Sequence, residues 1–146
     1  MVSDMNIIFL KKNKQSKGTI AFNNQGEEII LNETPLNYLN DLCIKHGSNA
    51  EGRMTSFQNI TGTRQKPAIL ISELSREIFF PTLSKDNDDC IWIEAKSIFK
   101  TKSIDDSHTC IQFMSGYQVI VDVNRRVIEK QRKRCKDYLH IISATE

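Results

Sequence analysis

The residues best able to do chemistry fall in three groups. A polar segment from Gly47 to Arg53, GSNAEGR, sets Ser48, Asn49 and Arg53 between and beside two glycines. Glycine reaches backbone angles closed to other residues, so such a segment turns tightly and leaves its donors free for a phosphate. Arg64 and Lys66 stand in a second polar stretch that ends at Pro67. The third group is Arg125, Arg126, Lys130, Lys133 and Arg134, with Arg132 and Lys136 among them. At spacings of three and four, Arg126, Lys130 and Lys133 share one helix face. A Lys/Arg face that neutralises phosphates releases their condensed counterions. The same face is also what a solvated amphipathic helix carries, just as Gly47 also reads as a plain helix end.

Other chemistries have weaker support. Asp86, Asp88 and Asp89 with Glu94 would have to converge on magnesium to make a nuclease, and nothing in their spacing requires it. The aspartates lack the glycine and the spaced glutamate of a calcium loop, and read as a solvated turn. Cys43, Cys90, Cys110 and Cys135 form no C-x-x-C pair and have no zinc spacing with His46, His108 or His140. All four read as buried thiols. Without a Ser-His-Asp signature, a phosphate-binding P-loop or a dinucleotide fingerprint, neither enzyme activity nor a cofactor or metal is expected.

These groups need a scaffold. The chain has 146 residues, 39% of them hydrophobic, enough for one domain with a core. The apolar start Ile7 to Leu10 is too short to span a bilayer and leads into lysines, so no membrane role is expected and the location is read as cytoplasmic. Net charge is +2, unevenly spread: residues 124–146 hold seven Lys/Arg against three Asp/Glu, the rest 13 against 15. The basic partner-binding potential therefore sits near the end.

In chain order, residues 1–17 read as an edge strand entering a basic turn. Gly18–Phe22 and Glu28–Leu31 flank Asn-Asn-Gln-Gly as a hairpin. Thr34-Pro35 caps a helix running to Gly47, and Ser48 is the expected cap of a second helix on which Arg53, Met54, Phe57 and Ile60 share a face. Its first turn would offer free amides to an anion. PAILI and EIFF read as another hairpin, Ile91 to Lys96 as a strand with one buried face, and Thr109–Met114 with Gln118–Val123 as a last hairpin. Trp92 reads as core in preference to a base-stacking ring. Asn124 caps a closing helix whose apolar stripe runs through Val127, Ile128, Gln131, Cys135, Tyr138, Leu139 and Ile142. The expected fold is one α+β domain over 1–146, with a mainly antiparallel sheet of six to eight strands and two or three helices.

The order and spacing of several elements resemble the ComK family of bacterial competence transcription factors. Cys43, Gly47-Ser48 and Gly52-Arg53 are similar to its cysteine, glycine-serine and glycine-arginine signature. Lys66-Pro67 before Ile69 and Ile71 resembles its entry into a hydrophobic strand, Phe79-Phe80-Pro81-Thr82-Leu83-Ser84 its "FPT.S" turn, and Cys90-Ile91-Trp92-Ile93 its cysteine-tryptophan strand. The resemblance covers roughly Thr34 to Leu139. This sequence departs from the longer members at its end, where they carry a further C-terminal segment, so the resemblance does not carry over any regulation placed in such a tail. The resemblance implies a nucleoid-associated activator of DNA-uptake genes that binds double-stranded A/T-rich boxes partly through the minor groove, as a homodimer or higher homo-oligomer. A narrow A/T minor groove is strongly negative and is read by a few inserted arginines, for which Arg53, Arg64, Arg125 and Arg126 are the candidates. The wider DNA-contacting set adds Ser48, Asn49, Lys66, Lys130, Lys133 and Arg134. A non-DNA-binding antagonist that pairs with a longer ComK-like protein is the alternative, ahead of the nuclease.

Overall fold

The computed structural model describes residues 6–144; residues 1–5, the opening of the expected first segment, and 145–146 lie outside the described residues. Strand β1 (Ile7–Lys12) pairs with β2 (Thr19–Asn23), which turns into β3 (Glu28–Leu31). Helices α1 (Pro35–Lys45) and α2 (Ala50–Thr61) follow, then β4 (Ile69–Ser72), β5 (Glu77–Pro81) and β6 (Ile91–Glu94). These six strands form one antiparallel sheet in the order β3-β2-β1-β6-β5-β4. A 3-10 turn at Ala95–Ser97 leads into β7 (Ile98–Asp105), β8 (His108–Phe113) and β9 (Gln118–Val121), a separate three-stranded antiparallel sheet. Helix α3 (Arg125–Ala144) closes the described chain. The result is an α+β domain.

Both faces of the larger sheet are covered. On one side Leu10, Ala21, Ile69, Ile71, Phe79 and Trp92 pack against Tyr38, Leu39 and Cys43 of α1. On the other, Ile8, Phe22, Leu70, Ile78, Phe80 and Ile93 meet Ile111, Phe113 and Val121 of the small sheet and Ile128, Cys135 and Tyr138 of α3. This explains why β4, β5 and β6 read as continuous apolar runs: each fully buried Ile or Phe contributes about 1.5–3 kcal/mol, and here alternate residues serve two cores. The expectation of one buried face around Trp92 is corrected accordingly, since Ile93 and Trp92 are both buried. Phe9 and Phe22, paired across strands, stack with ring centres 4.2 Å apart. The β2–β3 turn packs closely enough on Tyr117 that a side chain at Gly26 (φ 83°) would overlap its ring.

Two other expectations change. The first strand is not at an edge: β1 lies between β2 and β6, and its lysines are accommodated at its end, Lys11 over the Phe22 ring and Lys12 on Asp88 at 2.7 Å. Among the described residues there are nine strands in two sheets. The extra one is β7, whose outward residues are mostly polar or charged, so that IFKTKSID shows no clear period of two.

Candidate nucleic-acid interface

The glycine segment forms as the sequence suggests, but most of its donors are taken. Thr34 caps α1 by accepting from Asn37 N at 3.2 Å, and Pro35 fills the first turn without wasting an amide. Gly47, at φ 83°, ends it: its amide bonds Ile44 O and that of Ser48 bonds Cys43 O, satisfying the last carbonyls. Asn49, not Ser48, caps α2, its Oδ1 accepting from Gly52 N at 2.7 Å. Asn40 Oδ1 takes Ala50 N at 2.8 Å, and Asn49 O takes Arg53 N at 3.0 Å. The amides expected to be free for an anion are thus partly taken, those of Ala50 and Gly52 by the side chains of Asn40 and Asn49. Ser48 Oγ donates to Cys43 O at 3.3 Å and accepts from Arg53 Nε at 3.1 Å. Arg53, 15% exposed, also reaches Glu73 at 3.5 Å, so its guanidinium ties the turn to the segment after β4.

A different assembly gathers cations. The loop from Gly62 to Pro67 leaves α2 and runs beside the first turns of α3, forming a groove of about 490 Å³ lined by Arg64, Lys66, Lys130 and Arg134. What holds it there is Gln131, 1% exposed. Its Nε2 donates to Lys66 O at 3.0 Å and to Pro81 O at 2.9 Å, while its Oε1 accepts from Arg134 Nη1 at 3.3 Å. One amide therefore fixes the loop, the end of β5 and a guanidinium together. Lys66 has φ 52°, left-handed for a residue with a side chain, a conformation that persists only where neighbours over-determine it. Gln58 Nε2 supplies another hold on Arg64 O at 2.9 Å. Burial, then the nearby Arg134 and Lys130, depress the Lys66 pKa. Cations crowded like this are stabilised by an anion placed among them.

The remaining candidates sort by commitment. Arg64 and Lys130 are exposed at the groove, and Arg126 is exposed on α3 one turn before Lys130. Arg125 Nε donates to Thr101 Oγ1 at 3.0 Å, pinning the start of α3 to the small sheet. Lys133 is paired with Asp137 at 2.9 Å, and Arg132 with Glu129 at 3.0 Å. Asn124 Oδ1 accepts from Arg126 N at 2.7 Å, the cap expected for this helix. Arg64, Lys66, Lys130 and Arg134 are thus brought together, whereas Ser48, Asn49 and Arg53 lie in a self-satisfied turn. Sequence reasoning placed Gln131 in the apolar stripe and missed it as the anchor. The available signal was an amide at a core position, which demands buried partners.

The carboxylates do not assemble. Glu94, 3% exposed, accepts from Ile78 N and Lys96 N at 3.1 Å and from Ser97 Oγ at 2.8 Å. Asp88 pairs with Lys12, and Asp89 with Lys14. Glu94 therefore serves backbone amides while the aspartates face solvent, so these four carboxylates are not gathered around one site. Among the described residues, no group of three His, Cys, Asp or Glu is placed to hold a metal ion. The four-thiol expectation is corrected at one site: Cys43, Cys90 and Cys135 are buried but Cys110 is half-buried on the small sheet. Among the described residues no helix is long and apolar enough to cross a membrane.

A curated relative, the competence transcription factor of Bacillus subtilis (strain 168), is 26% identical over 101 residues, which are 69% of this chain. The match covers 53% of that relative, so the chain spans about half the length of the protein it resembles. No solved structure matches the chain. The ComK protein family matches residues 1–145, and the chain belongs to that family.

Proposed function

We propose that the protein is a DNA-binding regulator of transcription in the competence system, and that the Lys66 groove is where it meets the phosphate backbone. The observation that carries the reading is the convergence of Arg64, Lys66, Lys130 and Arg134, held by Gln131, in a chain of the ComK family. Phosphate contacts set register and supply most of the salt-dependent affinity. Arg64, exposed at the tip of an anchored loop, is the side chain best presented to a narrow A/T-rich minor groove, with Arg126 on the neighbouring helix face. Paired boxes are most simply read by a two-fold protein, so the active form is a homodimer.

Gel shifts on A/T-rich and G/C-rich duplexes across a salt series test this. Lys130→Ala should weaken both duplexes alike and lower the salt slope by about one unit. Arg64→Ala should erode the preference for A/T-rich DNA by about 1–3 kcal/mol. A folded protein that binds neither duplex at low salt would overturn the reading. Light scattering that finds one protomer per site would remove the dimer.

A further inference from the structure

Trp92, the chain's single tryptophan, is 2% exposed, so its ring faces are packing surface and offer no platform for stacking. The small part that reaches solvent lines a second cleft, of about 680 Å³, between α2, the Gly62–Pro67 loop and the turn after β5. That size falls within the roughly 300–1,000 Å³ typical of small-molecule sites. The indole N–H is a donor without an acceptor role, and the side-chain hydrogen bonds among the described residues include none from it. No side-chain nitrogen or oxygen fully sealed within the described residues lacks a partner, so this N–H touches solvent, and the cleft is where Trp92 lines a cavity.

Three demands on an occupant follow. Met54, Pro67, Pro81 and Leu83 wall the cleft and favour a flat apolar body. The indole N–H asks for an acceptor on that body. Arg64 and Lys66 line this cleft as well as the groove holding Lys130 and Arg134, so an anionic group belongs at their junction. Glu51 also lines the cleft and can accept from an exocyclic amine. We propose that the cleft is a nucleotide-binding site, with the base against the Trp92 N–H and the phosphate at Arg64 and Lys66. The proposal goes beyond duplex binding, because a paired base cannot enter such a cleft. Two sources share this chemistry: a free nucleotide, which would compete with duplex DNA for Lys66, and an unpaired nucleotide of the DNA itself.

The lone tryptophan supplies the assay. In 15N-labelled protein it gives one indole N–H resonance, followed during titration with AMP, with inorganic phosphate, with an intact A/T-rich duplex and with the same duplex carrying one unpaired adenosine. The expected result is a saturable downfield shift with AMP or with the unpaired-adenosine duplex, and none with phosphate. Lys66→Ala should weaken that response about tenfold, as for one lost charge-assisted contact, and Arg64→Ala, whose side chain is exposed, gives the same information if Lys66→Ala does not fold. Response to AMP identifies a free-nucleotide site; response to the unpaired-adenosine duplex alone identifies the DNA as the source. An unmoved resonance in every titration, or an equal shift with phosphate, overturns the proposal. Duplex binding with an unmoved resonance leaves the regulator reading intact, and an AMP response without any duplex binding leaves the cleft intact while removing the regulator.

Discussion

Replacing Gln131 by leucine probes the joint on which the basic groove depends. Leucine keeps the volume and removes both the donors and the acceptor, so Lys66 O and Pro81 O lose partners at 3.0 and 2.9 Å and Arg134 loses one at 3.3 Å. A buried carbonyl left unsatisfied costs about 1–3 kcal/mol. Pro81 O lies in the core, whereas Lys66 O is half-buried and regains water once the loop loosens, so the sum is about 2–4 kcal/mol. For a domain of this size that lowers Tm by roughly 5–15 °C. The loop should also lose its fixed path, releasing Lys66 from φ 52° and dispersing the four cations. Thermal melting followed by circular dichroism reads the first effect, and the salt slope of DNA binding reads the second. A variant that melts within about 2 °C of the parent, with an unchanged slope, would refute the anchor.

Other expected outcomes follow from the same contacts. Arg53→Ala should leave A/T preference unchanged and destabilise the fold by about 1–2 kcal/mol, because it breaks the tie between Ser48 and Glu73; melting and gel shift together check this. Burial and the Asp41 carboxylate push Glu33 up to about 7 from its ordinary 4.5. The folded state therefore holds that proton more tightly, and its stabilisation is present at low pH and is lost as pH rises from about 4.5 through 7. Urea midpoints across this window should fall with pH, and Glu33→Gln should flatten the fall. A thiol reagent should label Cys110 in native protein, with Cys43, Cys90 and Cys135 reacting only after unfolding; mass mapping of labelled peptides reads this directly.

Local signals were legible in the sequence where one residue decides the structure. Thr34-Pro35, Gly47 and Asn124 each mark a helix end by their own side chain or backbone freedom, and the three hairpins follow from turn residues between apolar runs. What was not legible depends on distant pairing. The burial of Ile93 and Trp92 on opposite faces reflects two covering layers, α1 on one side and α3 with the small sheet on the other, and no local period encodes a second layer. The candidate site divides in the same way. The sequence names the cations that the fold brings together, but only the fold shows that Asn40 fills the glycine turn while Gln131 gathers Lys66 and Arg134.

The strand order has a further consequence, for how the chain is made. Strand β1 borders β6, with Leu10 opposite Trp92, so the centre of the sheet joins segments from opposite ends of the first two-thirds of the sequence. During synthesis the N-terminal hairpin emerges with one long side of β1 unpaired, an apolar edge open to any neighbouring strand until residues 91–94 have left the ribosome. Closing so wide a loop is slow relative to local hairpin formation. Nascent chains shorter than this point should therefore be the most prone to aggregate and the most dependent on chaperones, and completion of β6 should be the step that makes the N-terminal half resistant to proteolysis.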